Sequence, residues 1–364
     1  MPEPLKNLVG PTLIGTLADR IGAVHPAFPA RAFVAAANDG LEALELKARV
    51  RHVAAALRPR LPEAWPDAVA VLVASLPPRG DTIPGMSLWP VLQVVEVWGV
   101  EDPAASLPAL REMTSRCSAE FAIRPFVRRW PEQTWAALER WVEDPDEHVR
   151  RLVSEGTRPR LPWGERLEPD PRAIPLLERL LDDPSDYVRR SVANHLGDLA
   201  KIDAEYAVAL ATRWGRPDLV RHGLRDLTKR GHPGALALIG RPTAPVEVQD
   251  LSASDAVVGG ETIVRALLRV ATPAHVRVDL VWGWPGSRGW SKKTFRGADR
   301  ALAAGETWAF EARLSTRDAP RPTGTTGWWC SRGSSRPRKA HNRRRRSGSA
   351  PGAVTQAGKK ARST

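Results

Sequence analysis

The sequence predicts an all-α superhelical solenoid followed by a small β domain and a basic tail. Three observations predict this order: helical periodicity through the first 240 residues, an internal repeat in the middle, and two-residue alternation after Gly240. At 364 residues the chain is too long for one hydrophobic core, so we expect at least two domains. A hydrophobic content of 42% with 26% charged residues is typical of globular proteins and excludes a disordered chain.

Helices are predicted first. Apolar residues between positions 41 and 57 recur at helical spacing and form one wide face. Short breaks that contain proline, such as Pro77-Pro78, separate this segment from others of the same kind. The same spacing predicts further helices at 67–76, 92–97, 135–142 and 174–181.

An internal repeat organises the helical part. Residues 144–153 recur 39 residues later as 183–192, and both copies share Asp-Pro, three residues, Val-Arg-Arg, one residue and Val. We expect the aspartate to cap a helix whose first residue is the proline. Weaker copies begin at Asp102 and Arg216. Helix pairs of this length predict HEAT-like helical repeats, and their uneven spacing indicates that the repeats have diverged.

Within the second copy of the repeat, Val188, Val192 and Leu196 form one apolar stripe along the helix.

The hydrophobic pattern changes after Gly240. Residues 276–282 and 308–314 alternate apolar and polar side chains, and glycine-containing turns lie at 259–262 and 304–307. This pattern favours a small immunoglobulin-like β domain behind a linker at 242–245.

The charge is concentrated at the end of the chain. The formal net charge is +13, but residues 321–364 carry twelve Lys and Arg and no Asp or Glu, so the rest is nearly neutral. Alternation stops after Ala319, although the β domain still needs a strand. Two interpretations stay open for 320–364: a basic disordered tail that binds DNA non-specifically, or a reading-frame shift near 316–322. The predicted domains are 1–241, 246–319 and 320–364.

Several classes of protein are excluded. The longest apolar stretch, 68–76, is too short to span a bilayer, and the N-terminus is unlike a secretory signal. Two cysteines, Cys117 and Cys330, are too few for a disulfide framework or a zinc site, and the histidines lack metal-ligand spacing. We therefore expect a cytoplasmic protein that needs neither a metal nor a cofactor, in which no serine, histidine or cysteine signature indicates catalysis.

Three segments contain polar residues in unusual settings. Glu120 lies among apolar neighbours in the segment 118–126. Trp163 lies between Pro162 and Gly164, where restricted backbone makes a large ring a good stacking platform. In the second repeat, Arg190, Asn194 and Asp198 are spaced four apart and form a stripe that we expect to face away from the core.

These segments resemble the AlkC branch of the AlkC/AlkD family of HEAT-like-repeat DNA alkylation repair glycosylases. Residues 4–8, 44–52 and 221–233 match the same family, so the resemblance extends over roughly residues 4–240. It implies hydrolysis of the N-glycosidic bond of cationic alkylated bases, such as 3-methyladenine, in double-stranded DNA by a monomeric enzyme. A C-terminal immunoglobulin-like domain is common in this branch.

The resemblance also implies roles for particular residues. Because an N-methylated base already carries positive charge, it leaves without a general acid, and the site needs negative charge near the sugar cation. Glu120 and Asp198 would supply that charge, and Trp163 would contact the cationic base or its sugar. The candidate contacts to DNA phosphates are Arg124, Arg151, Arg158, Arg160 and Arg190.

Each assignment has an alternative. Glu120 could instead form an ion pair with Arg124, four residues later. Asp198 could be a surface residue, with Asp203 as a competitor for its role. Trp163 could pack, and the arginine stems could only cover apolar surface. As a whole, the chain could be a non-catalytic HEAT-repeat scaffold that binds DNA or protein.

Overall fold

A computed structural model describes residues 4–79, 87–240, 245–254, 260–286, 289–315, 327–331 and 354–356. It divides into two compact units, Met1–Gly223 and Leu224–Thr364. Most of the predicted linker lies outside the described residues, which resume at Pro245.

The regular secondary structure among the described residues of the first unit is entirely helical. Its α-helices are α1 (Pro11–Val24), α2 (Ala30–Asn38), α3 (Leu46–Leu57), α4 (Trp65–Ala74), α5 (Trp89–Trp98), α6 (Pro103–Thr114), α7 (Arg124–Arg129), α8 (Pro131–Trp141), α9 (Glu147–Gly156), α10 (Ala173–Arg179), α11 (Asp186–Ala200), α12 (Ala204–Trp214) and α13 (Pro217–Gly223). Short 3-10 helices occupy Leu5–Leu8, Leu41–Ala43, Arg58–Arg60 and Gly99–Glu101. The helices predicted from periodicity are all present, and the solenoid of HEAT-like repeats is confirmed. None of the described helices is long and apolar enough to cross a membrane.

Successive repeats pack through the helices that follow the Asp-Pro motifs. Helix α9 contacts α6 and α11, and α11 also contacts α13. The predicted stripe of Val188, Val192 and Leu196 is completely buried in this packing. Gly223 is required where α13 meets α11, because a Cβ there would lie 2.9 Å from the Ala193 carbonyl oxygen.

The repeat aspartates do not all cap helices, which corrects one expectation. Asp102 does cap α6, since its carboxylate accepts from the Ala105 amide at 3.0 Å. Helices α9 and α11 begin two residues later than predicted, so Asp144 and Asp183 accept instead from the amides of the residues two positions on. Their carboxylates are also bound by arginines of the preceding repeat. Arg111 Nε donates to Asp144 Oδ2 at 2.7 Å, and Arg150 Nε donates to Asp183 Oδ2 at 2.6 Å.

The second unit begins with helices α14 (Arg225–Lys229) and α15 (Pro233–Leu238) and continues as a β domain. Its strands are β1 (Val246–Ala253), β2 (Glu261–Val270), β3 (Ala274–Gly286), β4 (Gly289–Leu302), β5 (Thr307–Ser315), β6 (Gly327–Ser331) and β7 (Val354–Gln356). One sheet has the order β1-β2-β5 and the other β4-β3-β6-β7. All pairs are antiparallel except β6 with β7.

Alternating side chains from both sheets share one core. Val264 and Leu268 of β2, Val278 of β3 and Phe310 of β5 are among its buried members. This arrangement confirms the predicted immunoglobulin-like β domain. Strands β6 and β7 lie within residues 320–364, the range that the sequence assigns to the tail. The other residues of the tail lie outside the described residues, and so does the segment 316–322 with its hypothesised frame shift.

Candidate active site

A cavity of about 300 Å³ opens in the first unit. It lies between the start of α5, the connection from α6 to α7, the end of α9 and the segment that follows α9. Three aromatic rings, two carboxylates, a thiol and a guanidinium reach it. Its lining residues are Trp89, Cys117, Ser118, Glu120, Phe121, Glu155, Arg158, Leu161, Pro162 and Trp163.

Trp163 stands on a tight turn in a left-handed conformation. The Gly164 amide donates to the Leu161 carbonyl at 3.1 Å, Pro162 is the second residue of the turn, and Trp163 is the third with φ +64°. This is the pattern of a type II turn, in which glycine is the usual third residue. A bulky side chain with positive φ is strained, and such strain is found preferentially at functional sites. The indole is 56% exposed.

Two further rings continue from Trp163 along the wall of the cavity. The Trp89 ring lies 6.5 Å from that of Trp163 at an interplanar angle of 16°, and 5.0 Å from the Phe121 ring at 24°. Trp89 is buried, and its indole nitrogen has no hydrogen-bond partner among the described residues. Neither ring was predicted as a site residue: Trp89 comes from a repeat distant in the sequence, and no local pattern distinguishes either ring.

Glu120 lines the cavity and is held by two neighbouring side chains. Its Oε2 accepts from Ser118 Oγ and from Arg151, each at 3.0 Å, whereas Oε1 receives no hydrogen bond from the described residues. The side chain is 17% exposed. Arg151 also lies over the Tyr187 ring, 4.5 Å from its centroid. Glu120 therefore pairs with Arg151 and not with Arg124, the alternative partner that its spacing suggested.

A chain of buried charges lies beneath Glu120. Arg158 bridges Glu155 and Asp198, with Nε donating to Asp198 Oδ2 at 2.8 Å. Glu155 also accepts from Ser191 Oγ at 2.6 Å, and Asp198 accepts from Lys201 at 3.0 Å. Burial opposes the charge of Arg158, but the two carboxylates outweigh it, so the pKa of Arg158 is raised. Glu155 was not predicted as a site residue, although its spacing of four from Arg151 and three from Arg158 is visible in the sequence.

Burial also changes the chemistry of two neighbours. Cys117 lines the cavity, and burial together with the Glu120 charge raises the pKa of its thiol to about 12. It is therefore a neutral thiol near pH 7. Below the site, burial lowers the pKa of His195 to about 4, and its Nδ1 lies 3.1 Å from the Ser154 carbonyl oxygen. Among the described residues no group of three or more His, Cys, Asp or Glu is arranged to hold a metal ion.

Comparisons with known proteins agree with this geometry. The HEAT repeat family model matches residues 173–202, which span α10 and α11. The uncharacterized protein YhaZ of Bacillus subtilis (strain 168) is 32% identical over 333 residues, or 86% of this chain and 91% of that protein. The structure of Pseudomonas fluorescens alkylpurine DNA glycosylase AlkC, bound to DNA containing an abasic site analog, matches with a TM-score of 0.74. That match has 31% identity and covers 91% of this chain and 98% of the other.

The chain belongs to the AlkC branch of the AlkC/AlkD family. The family resemblance seen in residues 4–240 thus continues into the β domain. Of the residues that the resemblance singled out, Glu120, Trp163 and Arg158 line one cavity in this AlkC-branch chain.

Asp198 does not line the cavity, which corrects its expected position. The predicted stripe turns from exposed at Arg190 to completely buried at Asp198, because Arg158 covers the C-terminal part of α11. Both carboxylate oxygens of Asp198 are bound by cations. Its competitor Asp203 caps α12 by accepting from the Tyr206 amide at 3.0 Å.

Two of the five arginines that were expected to contact DNA phosphates are buried instead. Arg124 is completely buried and donates to the Glu165 carbonyl at 2.6 Å and the Gly156 carbonyl at 2.8 Å. Burial and the neighbouring Arg158 lower the pKa of Arg124 to about 10. Arg158 is buried between its two acids. Both guanidinium groups of this AlkC-branch chain are buried and bound by protein groups, so neither presents its charge at the surface.

The other three arginines differ among themselves. Arg151 is half-buried and already pairs with Glu120. Arg160 and Arg190 are exposed and form no ion pair or hydrogen bond with the described residues. These two are the predicted phosphate contacts whose charge stays available at the surface.

Proposed function

We propose that this chain is a DNA glycosylase that hydrolyses the N-glycosidic bond of cationic alkylated bases, including 3-methyladenine, in duplex DNA. The observation that carries the proposal is that Glu120, whose Oε1 receives no hydrogen bond from the described residues, lines a cavity walled by three aromatic rings in an AlkC-branch fold. The AlkC structure was determined with DNA containing an abasic site analog, the product side of such a reaction.

The chemistry of the leaving group fits a site in which no general acid is positioned to protonate the base. As the bond from C1′ to the base nitrogen breaks, its electron pair goes to the base and cancels the positive charge of the methylated ring. Water then adds to C1′ and loses its proton, which leaves an abasic sugar and a neutral base. The catalyst needs only to stabilise the sugar cation and hold the water.

Glu120 supplies both functions in this proposal. Its Oε1 would lie beside C1′ and accept a hydrogen bond from the attacking water. Arg151 and Ser118 hold Oε2 and thereby orient the carboxylate. Glu155, which also lines the cavity, adds negative potential but is neutralised in part by Arg158.

The aromatic wall supplies selectivity for charge. Trp163 and Trp89 present π faces that attract a cationic ring or the cationic sugar, and this attraction disappears when the base leaves as a neutral molecule. Asp198 acts one step removed in this proposal: it holds Arg158, which in turn holds Glu155.

DNA binding is assigned to the surface cations near the site. Arg160 lies three residues before Trp163, and Arg190 lies in α11. Their unpaired charges suit non-specific phosphate contacts. A monomeric state and a cytoplasmic location belong to the same proposal.

The test is release of free base from a duplex treated with a methylating agent, followed by chromatography. We expect the wild-type protein to release methylated bases and Glu120→Gln to be slower by about 100-fold, because a neutral amide cannot stabilise the sugar cation. Glu63→Gln, a change on an exposed side chain outside the cavity, should match wild type.

A neutral lesion provides a second control. Duplex DNA with hypoxanthine should yield no free base, since a neutral leaving group needs a proton that this site does not supply. Binding of methylated DNA without any base release would establish the scaffold alternative. Full activity in Glu120→Gln would reject the assigned mechanism.

A further inference from the structure

A lysine from a distant helix reaches the backbone of the strained turn. Lys47, the second residue of α3, donates from Nζ to the Trp163 carbonyl oxygen at 2.7 Å, across 116 residues of sequence. Lys47 is exposed.

The turn needs an external contact because its own backbone does not favour the observed conformation. A left-handed residue with a Cβ is unfavourable, and only one hydrogen bond, Gly164 N–H to Leu161, closes the turn itself. Arg124 fixes the segment from the buried side through the Glu165 carbonyl at 2.6 Å. Lys47 binds the same segment from the exposed side, at the strained residue itself.

We propose that Lys47 is a positioning residue, whose ammonium holds Trp163 in its left-handed conformation and so keeps the indole over the cavity. This inference rests on the proposed function for its consequence in catalysis, although the contact itself is a property of the folded chain. Because the donor is a charged ammonium, its hydrogen bond to the Trp163 carbonyl is stronger than one from a neutral donor would be.

The surroundings of Lys47 provide a matched control. Arg51 lies four residues later on α3, on the same side of the helix. Burial raises the pKa of Glu96 in α5, and the charges of both Lys47 and Arg51 oppose that rise. Arg51 shares this neighbour, but it forms no hydrogen bond to the turn. Comparing the two positions separates loss of a positive charge from loss of the contact with Trp163.

Hydrogen exchange of the free protein tests the contact without reference to activity. In Lys47→Met, the amides of the peptide that contains residues 161–167 should exchange roughly fivefold faster, as one lost hydrogen bond predicts. Arg51→Met should leave this peptide unchanged, and Lys47→Arg, which keeps a cationic donor, should restore most of the protection. Wild-type exchange of this peptide in Lys47→Met would overturn the proposal.

Base release under single-turnover conditions tests the consequence. We expect Lys47→Met to lower the rate roughly fivefold in the wild-type background and to have no further effect in Trp163→Ala, because Lys47 acts through that ring. An equal loss in both backgrounds, which shrinks as the salt concentration is raised, would identify a phosphate contact and overturn the proposal.

The two tests separate this inference from the proposed function. Faster exchange at the turn in Lys47→Met supports the positioning role even when the wild-type protein releases no methylated base, a result that rejects the glycosylase assignment alone. Unchanged exchange combined with active wild-type enzyme rejects the positioning role alone.

Discussion

Replacing Arg158 by methionine would remove the cation that joins two buried carboxylates. Asp198 is 1% exposed and Glu155 is 5% exposed, so neither acid gains water when its partner is lost. Removing one member of a buried ion pair costs about 3–5 kcal/mol. Lys201 still binds Asp198 and Ser191 still binds Glu155, so we expect the lower end, about 3 kcal/mol. The free energy of unfolding of a small domain is only about 5–15 kcal/mol, so this loss would be a large part of the total stability.

The assay is urea unfolding followed by far-ultraviolet circular dichroism, in which the helical unit dominates the signal. Arg160→Met is the matched variant, since this arginine lies two residues later but is exposed and unpaired among the described residues. We expect Arg160→Met to keep wild-type stability and to lower the slope of log binding constant against log salt by about 0.9, the contribution of one phosphate. Arg158→Met should leave that slope unchanged.

A double variant tests the cause. Asp198→Asn removes the negative charge that Arg158→Met leaves buried, so the two changes together should destabilise the protein less than the sum of the single effects. The reasoning is refuted if Arg158→Met unfolds within about 0.5 kcal/mol of wild type. It is equally refuted if Arg158→Met lowers the slope of log binding constant against log salt by about 0.9, the contribution of one phosphate contact.

Two further predictions concern the turn and the buried histidine. Trp163→Gly should be more stable than Trp163→Ala by about 0.5–1 kcal/mol in urea unfolding, because only glycine accepts φ +64° without strain; the reverse order would contradict the strained turn. His195 has a pKa of about 4 in the fold and 6.5 in the unfolded chain, so its contribution to stability is complete above pH 6.5 and is lost as the pH falls towards 4. Between pH 6.5 and 5 wild type should lose about 2 kcal/mol more than His195→Gln, and equal losses would exclude His195 as the cause.

The fold could be predicted because its elements have different periods. Spacing of the apolar residues distinguished helices from strands without any knowledge of their partners, and Val188, Val192 and Leu196 are buried as their spacing predicts. Asp144 and Asp183 were misassigned because an aspartate before proline suits several local turns. Only the neighbouring repeat, with Arg111 or Arg150, decides which one forms.

The site was predictable only where a short segment carries its own signal. Glu120 among apolar residues and Trp163 between Pro162 and Gly164 are unusual locally, and both reach the cavity. Trp89 joins them from another repeat, which no local pattern indicates. The burial of Arg124 depends on the Gly156 and Glu165 carbonyls that it binds, and an arginine in such a helix looks the same in the sequence whether it binds carbonyls or DNA.

The links between repeats also bear on how such a chain can change in evolution. Arg111 with Asp144 and Arg150 with Asp183 are interchangeable contacts, so an internal repeat could be deleted and leave an arginine facing an aspartate again. The acids of the site are not interchangeable in this way, since Glu120, Glu155 and Asp198 come from successive repeats and Arg158 joins Glu155 to Asp198. Deletion of an internal repeat would therefore keep the contacts between repeats but would separate the acids of the site.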